Sequence, residues 1–328
     1  MTKITDEFIL RGNCIKNRIV MPPMYTFSFR GENGTFFGRQ HIDHYTLRAK
    51  GGAGLIILQS TRVHGSIEGI KLWSPENTAV LKQIVDGCHA YGALTFLQLS
   101  CDDKDINELS GEEIHTIRRE IKQAAISACA LGFDGVEFHC AHSFFLCKFL
   151  DGDFNKRTDS YGGSAENRAR ILTEIIPGIR ANTHEKFILG VRMGKFLPDE
   201  KDGFEVAKIF EKAGVDILHI SWGMRMPAGQ VSKDFICSYM TYNAYEMKRN
   251  VSLPVIAVNE ITAERQVRFL IENKYADFAA VGRGMLADAD FANHVIDSIP
   301  VNKCRHCGGG VNKCFWFSDH RLCPARNK

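Results

Sequence analysis

Two histidines three residues apart, His139 and His142, follow a short apolar run, Val136 to Phe138. Imidazoles at that spacing can donate to one oxygen, hold a metal or relay a proton. The plain alternative is one satisfied core histidine beside one solvated one. A polar loop rich in Asp, Asn, Arg and Gly leads on to Arg168. A helix opens inside that stretch after Ser164, an N-cap with Glu166 in the first turn, where the helix dipole favours an acid. Other reactive residue types recur at the ends of other apolar runs. They are Pro23, Met24 and Tyr25; Ser60; Gln98; Arg192; Ser221; Asn259; and the turn Gly282-Arg283-Gly284.

The runs themselves are short and continuous. They cover Ile19 to Met21, Leu55 to Leu58, Thr95 to Leu99, Val136 to Phe138, Ile188 to Val191, Ile217 to Ile220, Val255 to Val258 and Phe278 to Val281. Helical stretches alternate with them: His41 to Lys50, Thr78 to Tyr91, a helix capped by Ser110 and Glu113, Gly203 to Ala213, Tyr242 to Arg249, Thr262 to Glu272 and Ala292 to Ser298. Pro177 predicts a kink or early end in the helix after Ser164. The segment up to Arg18 shows little periodicity. Apolar strands alternating with helices make a parallel sheet buried on both faces. Eight units favour a closed (β/α)8 TIM barrel over an open doubly wound sheet, and no GxGxxG follows an early strand.

In such a barrel the strand C-terminal ends form the active site, so the reactive residues fall at one mouth. Gly282-Arg283-Gly284 and Asn259 follow the last two strands, where phosphate is commonly held; an ordinary turn with a solvated Arg is the alternative. Gln98 offers a donor and an acceptor, as the edge of a pyrimidine-type ring requires, or it is a satisfied core amide. Arg192 supplies a cation. A phosphate, a flat heterocycle and a cation together suggest flavin mononucleotide, FMN.

Composition restricts the rest. The chain has 328 residues, 45% hydrophobic and 24% charged, with a net charge of +3 and no basic block. No nucleic-acid partner is expected. Neither a signal peptide nor an apolar run of about 20 residues is read, so no membrane partner is expected. Of eleven cysteines, seven are scattered, which fits reduced thiols in the cytoplasm. Cys304, Cys307, Cys314 and Cys323 crowd the end. The domain expectation is a barrel over 1–300 and a Cys-rich tail over 301–328 packed on it.

With these residues in view, the sequence resembles the old yellow enzyme family of FMN-dependent oxidoreductases, in its NADH:flavin oxidoreductase and 2,4-dienoyl-CoA reductase branch. The likeness runs from about Asn17 to Asp290. It is carried by NRIVMPPM (Asn17 to Met24), GGAGLII (Gly51 to Ile57), LQL (Leu97 to Leu99), GFDGVEFHCAH (Gly132 to His142), NKRTDSYGGSAENR (Asn155 to Arg168), GVRM (Gly190 to Met193) and AVGRGMLAD (Ala280 to Asp288). The resemblance implies FMN at the mouth and NADH or NADPH as reductant. Pro23, Met24 and Tyr25 would lie along the isoalloxazine, with Ser60 and Gln98 at its pyrimidine edge and Arg192 at N1 and the C2 carbonyl. Asn259, Gly282 and Arg283 would hold the phosphate. His139 and His142 would be the catalytic pair, polarising the oxygen of a small-molecule substrate, an α,β-unsaturated carbonyl, quinone or similar acceptor. No metal is expected at that pair; zinc is the rival reading and lacks a third ligand. A homo-oligomer is left open.

The chain departs from the family pattern in four places. Phe144 stands where the family usually has a proton-donating tyrosine. This keeps open a flavin-binding redox protein with little ene-reductase activity. Ser100-Cys101-Asp102 follows Gln98-Leu99 in place of the family's His and Arg. Asn259-Glu260 replaces a glycine pair. The cysteines are spaced x2, x6 and x8, with Val311 at the family's third position and Cys314 displaced, and no second flavin domain is expected. Fe–S cluster, zinc (His306 and His320 are near) and a metal-free tail all remain open for these thiols.

Overall fold

The computed structural model describes residues 2–31, 35–63, 72–196, 199, 201–226, 228–307, 314–317, 319 and 322–326. Val311 and His320 lie outside them. Eight described strands close into a barrel: β3 (Ile19–Met21), β4 (Leu55–Arg62), β5 (Leu94–Ser100), β6 (Gly135–Cys140), β7 (Ile188–Met193), β8 (Ile217–Ile220), β9 (Val255–Ala257) and β10 (Phe278–Ala280). Every neighbouring pair is parallel, and β10 returns to β3. The TIM-barrel expectation is met.

Helices α1 (Arg39–Lys50), α2 (Pro75–His89), α3 (Gly111–Leu131), α4 (Phe145–Leu150), α5 (Ala165–Thr173), α6 (Ile176–Arg180), α7 (Asp202–Ala213), α8 (Tyr239–Lys248), α9 (Glu264–Glu272), α10 (Arg283–Ala287) and α11 (Phe291–Ile296) fill the connections. Their starts follow capping chemistry. Ser110 and Glu113 form a reciprocal box on α3, with the Ser110 amide donating to Glu113 Oε2 at 2.8 Å. Ser164 Oγ accepts from the Asn167 amide at 3.3 Å and opens α5. The expected break at Pro177 appears as the gap between α5 and α6, with the proline at the start of α6, where its missing N–H costs nothing.

Alternation along each strand divides the interior by height. Phe96, Ile188 and Ile217 fill the lower barrel together with Leu55, Ile57, Ile256 and Phe278. Further along the same strands, two residues on from Phe96 and Ile217 and four on from Ile188, stand Gln98, His219 and Arg192, all buried. A period of two keeps these pairs on one face, so the apolar floor and the polar upper layer belong to the same strands. The outward residues Val136, Phe138 and Cys140 pack instead in the shell beneath the helices.

Three features differ from the sequence expectation. The aperiodic start forms a hairpin, β1 (Phe8–Leu10) with β2 (Asn13–Ile15), that stoppers the lower end. Leu10 and Ile15 join the interior cluster, and Phe8 meets the Phe278 ring at 5.1 Å. The stretch after His142, read as loop, begins with α4, which is apolar and buried almost all round. Gly282-Arg283-Gly284, read as a turn, opens α10.

Candidate active site at the barrel mouth

The mouth is built on a buried polar layer. Gln98 and Glu137 are register partners on β5 and β6, and Gln98 Nε2 donates to Glu137 Oε1 at 2.6 Å. The other Glu137 oxygen lies 2.8 Å from His219 Nδ1 on β8. His139, Arg192 and His219 stand side by side in register across β6, β7 and β8. Burial lowers the pKa of Arg192, and the Glu137 carboxylate opposes that shift. Among the described residues Arg192 Nε and His219 Nε2 have no hydrogen-bond partner. An unpartnered buried donor is costly unless a ligand meets it.

Above this layer runs a chain of five side chains. Ser60 Oγ donates to Ser100 Oγ at 2.9 Å and lies 3.2 Å from His139 Nδ1. His139 Nε2 is 3.2 Å from His142 Nδ1, and His142 Nε2 is 2.7 Å from Ser221 Oγ. Burial drives both imidazoles well below their ordinary pKa, with Arg192 adding to the shift, so both are neutral at pH 7. A neutral imidazole has one donor and one acceptor. Since Ser60 donates to Ser100, it accepts from His139 Nδ1–H. His139 Nε2 then accepts from His142 Nδ1–H, and His142 Nε2 accepts from the Ser221 hydroxyl. The two rings are therefore bonded to each other, and not both directed at one outside oxygen.

The backbone fixes this arrangement. His142 and Ser143 both adopt φ of +62°. The His142 amide donates to Trp222 O at 3.0 Å, the Ser143 amide to Gly223 O at 3.1 Å, and Ser143 Oγ to Met224 O at 2.6 Å. The loops after β6 and β8 are thus sewn together, and the Trp222 ring lies 4.7 Å from that of His142. Phe144 is 44% exposed with its ring 5.0 Å from His139. It lies against His139 with part of its ring open to solvent, and it has no hydroxyl.

A cavity of about 190 Å3 lies beside this layer. Pro23, Met24, Arg192, Asn259, Gly282 and Arg283 all line it, together with Pro22 and Glu260. A Cβ on Gly282 would come within 3.1 Å of Met24 Sδ, so a side chain there would narrow it. A buried guanidinium with a free N–H, apolar walls and a second arginine suit a flat anionic heterocycle carrying a phosphate. Ser60 and Gln98 lie elsewhere in the mouth, already bonded to His139 and Glu137. Tyr25 does not line this cavity: its ring packs against Phe27 at 5.0 Å and its carbonyl accepts from Trp316 Nε1 at 2.7 Å.

Trp316 belongs to the C-terminal segment. It packs with Phe29 and Leu286, and Phe317 meets the Phe27 ring at 4.7 Å. Cys304, Cys314 and Cys323 line a small cavity with Arg48, Arg283 and Trp316, and all four tail cysteines are free thiols. Among the described residues the one tight grouping of three metal-type ligands is Asp288, Asp290 and His294, which includes no cysteine. The sequence reading missed Glu137 and His219. Their signal was present: an acid and an imidazole at inward positions of otherwise apolar strands.

Comparison with known proteins follows the same lines. The pattern of the NADH:flavin oxidoreductase / NADH oxidase family matches residues 9–104 and 100–302. An NADH oxidase of Thermoanaerobacter brockii is 32% identical over 94% of this chain; the chain spans only 53% of that protein. An NADPH dehydrogenase of Listeria monocytogenes is 31% identical, over 91% of this chain and 96% of its own length. Among solved structures, a 2-naphthoyl-CoA reductase complex superposes with a TM-score of 0.83 at 21% identity, over 96% of this chain and 55% of the other, a likeness of fold. No helix among the described residues is long and apolar enough to cross a membrane.

Proposed function

Because the chain belongs to the NADH:flavin oxidoreductase / NADH oxidase family, we propose that it is an FMN enzyme that passes reducing equivalents from NADH or NADPH to a conjugated oxygen acceptor, a quinone before a simple enone. Bound FMN supplies the hydride chemistry, accepting from the nicotinamide and donating to the acceptor. Pro23, Met24 and Tyr25 wall the ring. Ser60 and Gln98 serve its polar edge, Arg192 meets its negative charge, and Asn259, Gly282 and Arg283 hold the phosphate. His139 and His142 receive the acceptor oxygen once it takes the place of the bond between their two rings.

The observation that carries the choice of acceptor is the neutral chain Ser221–His142–His139–Ser60 beside Phe144. These groups stabilise and protonate an oxygen as its charge develops. Nothing at Phe144 protonates a carbon. Acceptors whose reduced form carries its proton on oxygen therefore suit this site. That chemistry calls for a small-molecule partner without a membrane or a nucleic acid, a homo-oligomer is compatible with it, and the reading places the reaction in the cytoplasm.

The test is anaerobic. The yellow protein is bleached with NADPH or NADH, then mixed with a quinone or with cyclohexenone. Rapid recovery of colour with the quinone and slow recovery with the enone is the expected result. Phe144→Tyr should speed the enone step alone. Equal rates for both acceptors in the parent protein would sink the preference. Flavin that stays bleached with every acceptor would instead support a second reading, which Phe144 favours: a flavin redox protein with little ene-reductase activity.

A further inference from the structure

The loop after β9 keeps a glycine-type backbone without glycines. Asn259 lies at φ +102° and Glu260 at φ +54°. A side chain is strained there. Neighbours hold the shape: Ser238 Oγ donates to Asn259 Oδ1 at 2.9 Å, Thr241 Oγ1 to the Asn259 carbonyl at 3.1 Å, and Gln266 Nε2 to the Glu260 carbonyl at 3.0 Å. The Glu260 carboxylate turns back on Arg283, with Oε1 3.6 Å from Nη2. Arg283 Nη1 also donates to His306 Nδ1 at 3.3 Å.

The side chains of the Arg283–Glu260 pair are 39% and 56% exposed. At that exposure and distance an ion pair adds little stability. Stability therefore does not account for an acid held in a strained backbone. The pair does set a negative charge against the guanidinium that lines the flavin cavity. Glu260 also borders a second cleft, of about 870 Å3, whose lining includes Arg265, Lys303 and His306. Its carboxylate thus has a cation on the cavity side and others on the cleft side.

Resting on the FMN reading above, we propose that Glu260 is an anionic competitor built into the phosphate end of the cofactor site. Carboxylate and phosphate contend for Arg283. The chain holds FMN loosely and gains little from the phosphate, so riboflavin, which lacks it, binds nearly as well. Firm phosphate binding requires Glu260 to turn into the neighbouring cleft, towards Arg265 and Lys303.

The experiment starts from purified holoenzyme. FMN release on dilution is followed by the return of flavin fluorescence, and the stripped protein is then titrated with FMN and with riboflavin. Glu260→Gln removes the charge and keeps the shape. It should tighten FMN about tenfold and leave riboflavin within about twofold, as removal of one nearby like charge predicts. Adding Arg283→Gln to E260Q should abolish that gain. If E260Q leaves the ratio of FMN to riboflavin affinity unchanged, or tightens both equally, the carboxylate does not compete with the phosphate and the proposal falls. Glu260→Gly reads strain and charge together, so a gain seen only with Gly overturns the proposal as well. Purified protein that carries no flavin and binds neither form would overturn the FMN reading itself, and this inference with it.

Discussion

Two loops at the mouth each hold two successive non-glycine residues at positive φ, and they hold them differently. In the loop after β6, the His142 and Ser143 amides bond to the loop after β8, and the Ser143 hydroxyl adds a third bond. The strained residues there place side chains that act. In the loop after β9, neighbouring side chains grip the carbonyls of Asn259 and Glu260, while the Glu260 side chain is more than half exposed. There the backbone shape is kept and the side chain is incidental to it. Strain is offset by what the strained residue itself bonds in the first loop, and by its surroundings in the second.

This contrast is open to attack by substitution. The largest effect is expected at the histidines. His142→Ala or His139→Ala should slow re-oxidation of the reduced flavin by acceptor about 10²- to 10³-fold, the usual loss for an oxygen-stabilising donor. Flavin reduction by NADPH should be retained, and stopped-flow of the two half-reactions separates them. Loss confined to the reductive half would place the pair elsewhere in the reaction.

The next effect is on pH. Burial holds His139 and His142 neutral in the fold and takes His41 from 6.5 to about 4. Below pH 6.5 the unfolded chain takes up these protons and the folded one does not. The contribution of these three histidines to folding stability should therefore be flat above that value and fall as pH drops from 6.5 towards 4, whereas His89, raised by its bond to Asp134, works in the opposite sense. Each unit costs about 1.4 kcal/mol per fully shifted histidine. Denaturant titrations at stepped pH measure the slope, and a midpoint unchanged between pH 7 and 5 would contradict the buried, neutral assignment.

Ser221→Ala is expected to cost less, about 1–3 kcal/mol for an acceptor left unpaired on His142. It should also shift the pH profile of acceptor reduction, because the tautomer of His142 is no longer fixed. Ser221→Thr keeps the hydroxyl and should restore the profile. Failure of Thr to rescue would leave Ser221 a packing residue. The smallest effect bears most directly on the two loops. Glu260→Gly should raise stability by about 1 kcal/mol through relief of backbone strain. Ser143→Gly should gain nothing, because it also loses the bond to Met224 O. Equal gains at both positions would erase the distinction.

Much of this was legible in the chain. All eight barrel strands announce themselves, because strands buried on both faces are continuous apolar runs and need no partner to be seen. Their C-terminal ends then locate the mouth residues by topology alone. The β1–β2 hairpin did not announce itself. Each of its strands has three residues, too few to show a period, and Ile9 points outward at 63% exposure while Leu10 is buried. Helix α4 escaped for a similar reason, since six mostly apolar residues fit strand, loop or helix equally. The bonding of His139 to His142, and of Gln98 to Glu137, depends on which inward side chains meet across the barrel. Spacing along one strand carries no record of that. The pairing of Glu260 with Arg283 likewise joins loops after two different strands.

The hairpin that stoppers the lower end also gives the molecule a handle. Cys14 lies on it, paired with Ile9 across the ladder, and is the one exposed thiol among the described residues. Asn13 and Arg11 anchor the same hairpin to the Lys186 and Glu185 carbonyls just ahead of β7, at the end of the barrel remote from the mouth. The other thiols are half-buried or buried, so a maleimide-coated surface would capture molecules first through Cys14 and in one prevailing orientation. The closed end would face the support, and the reactive opening would face the solution.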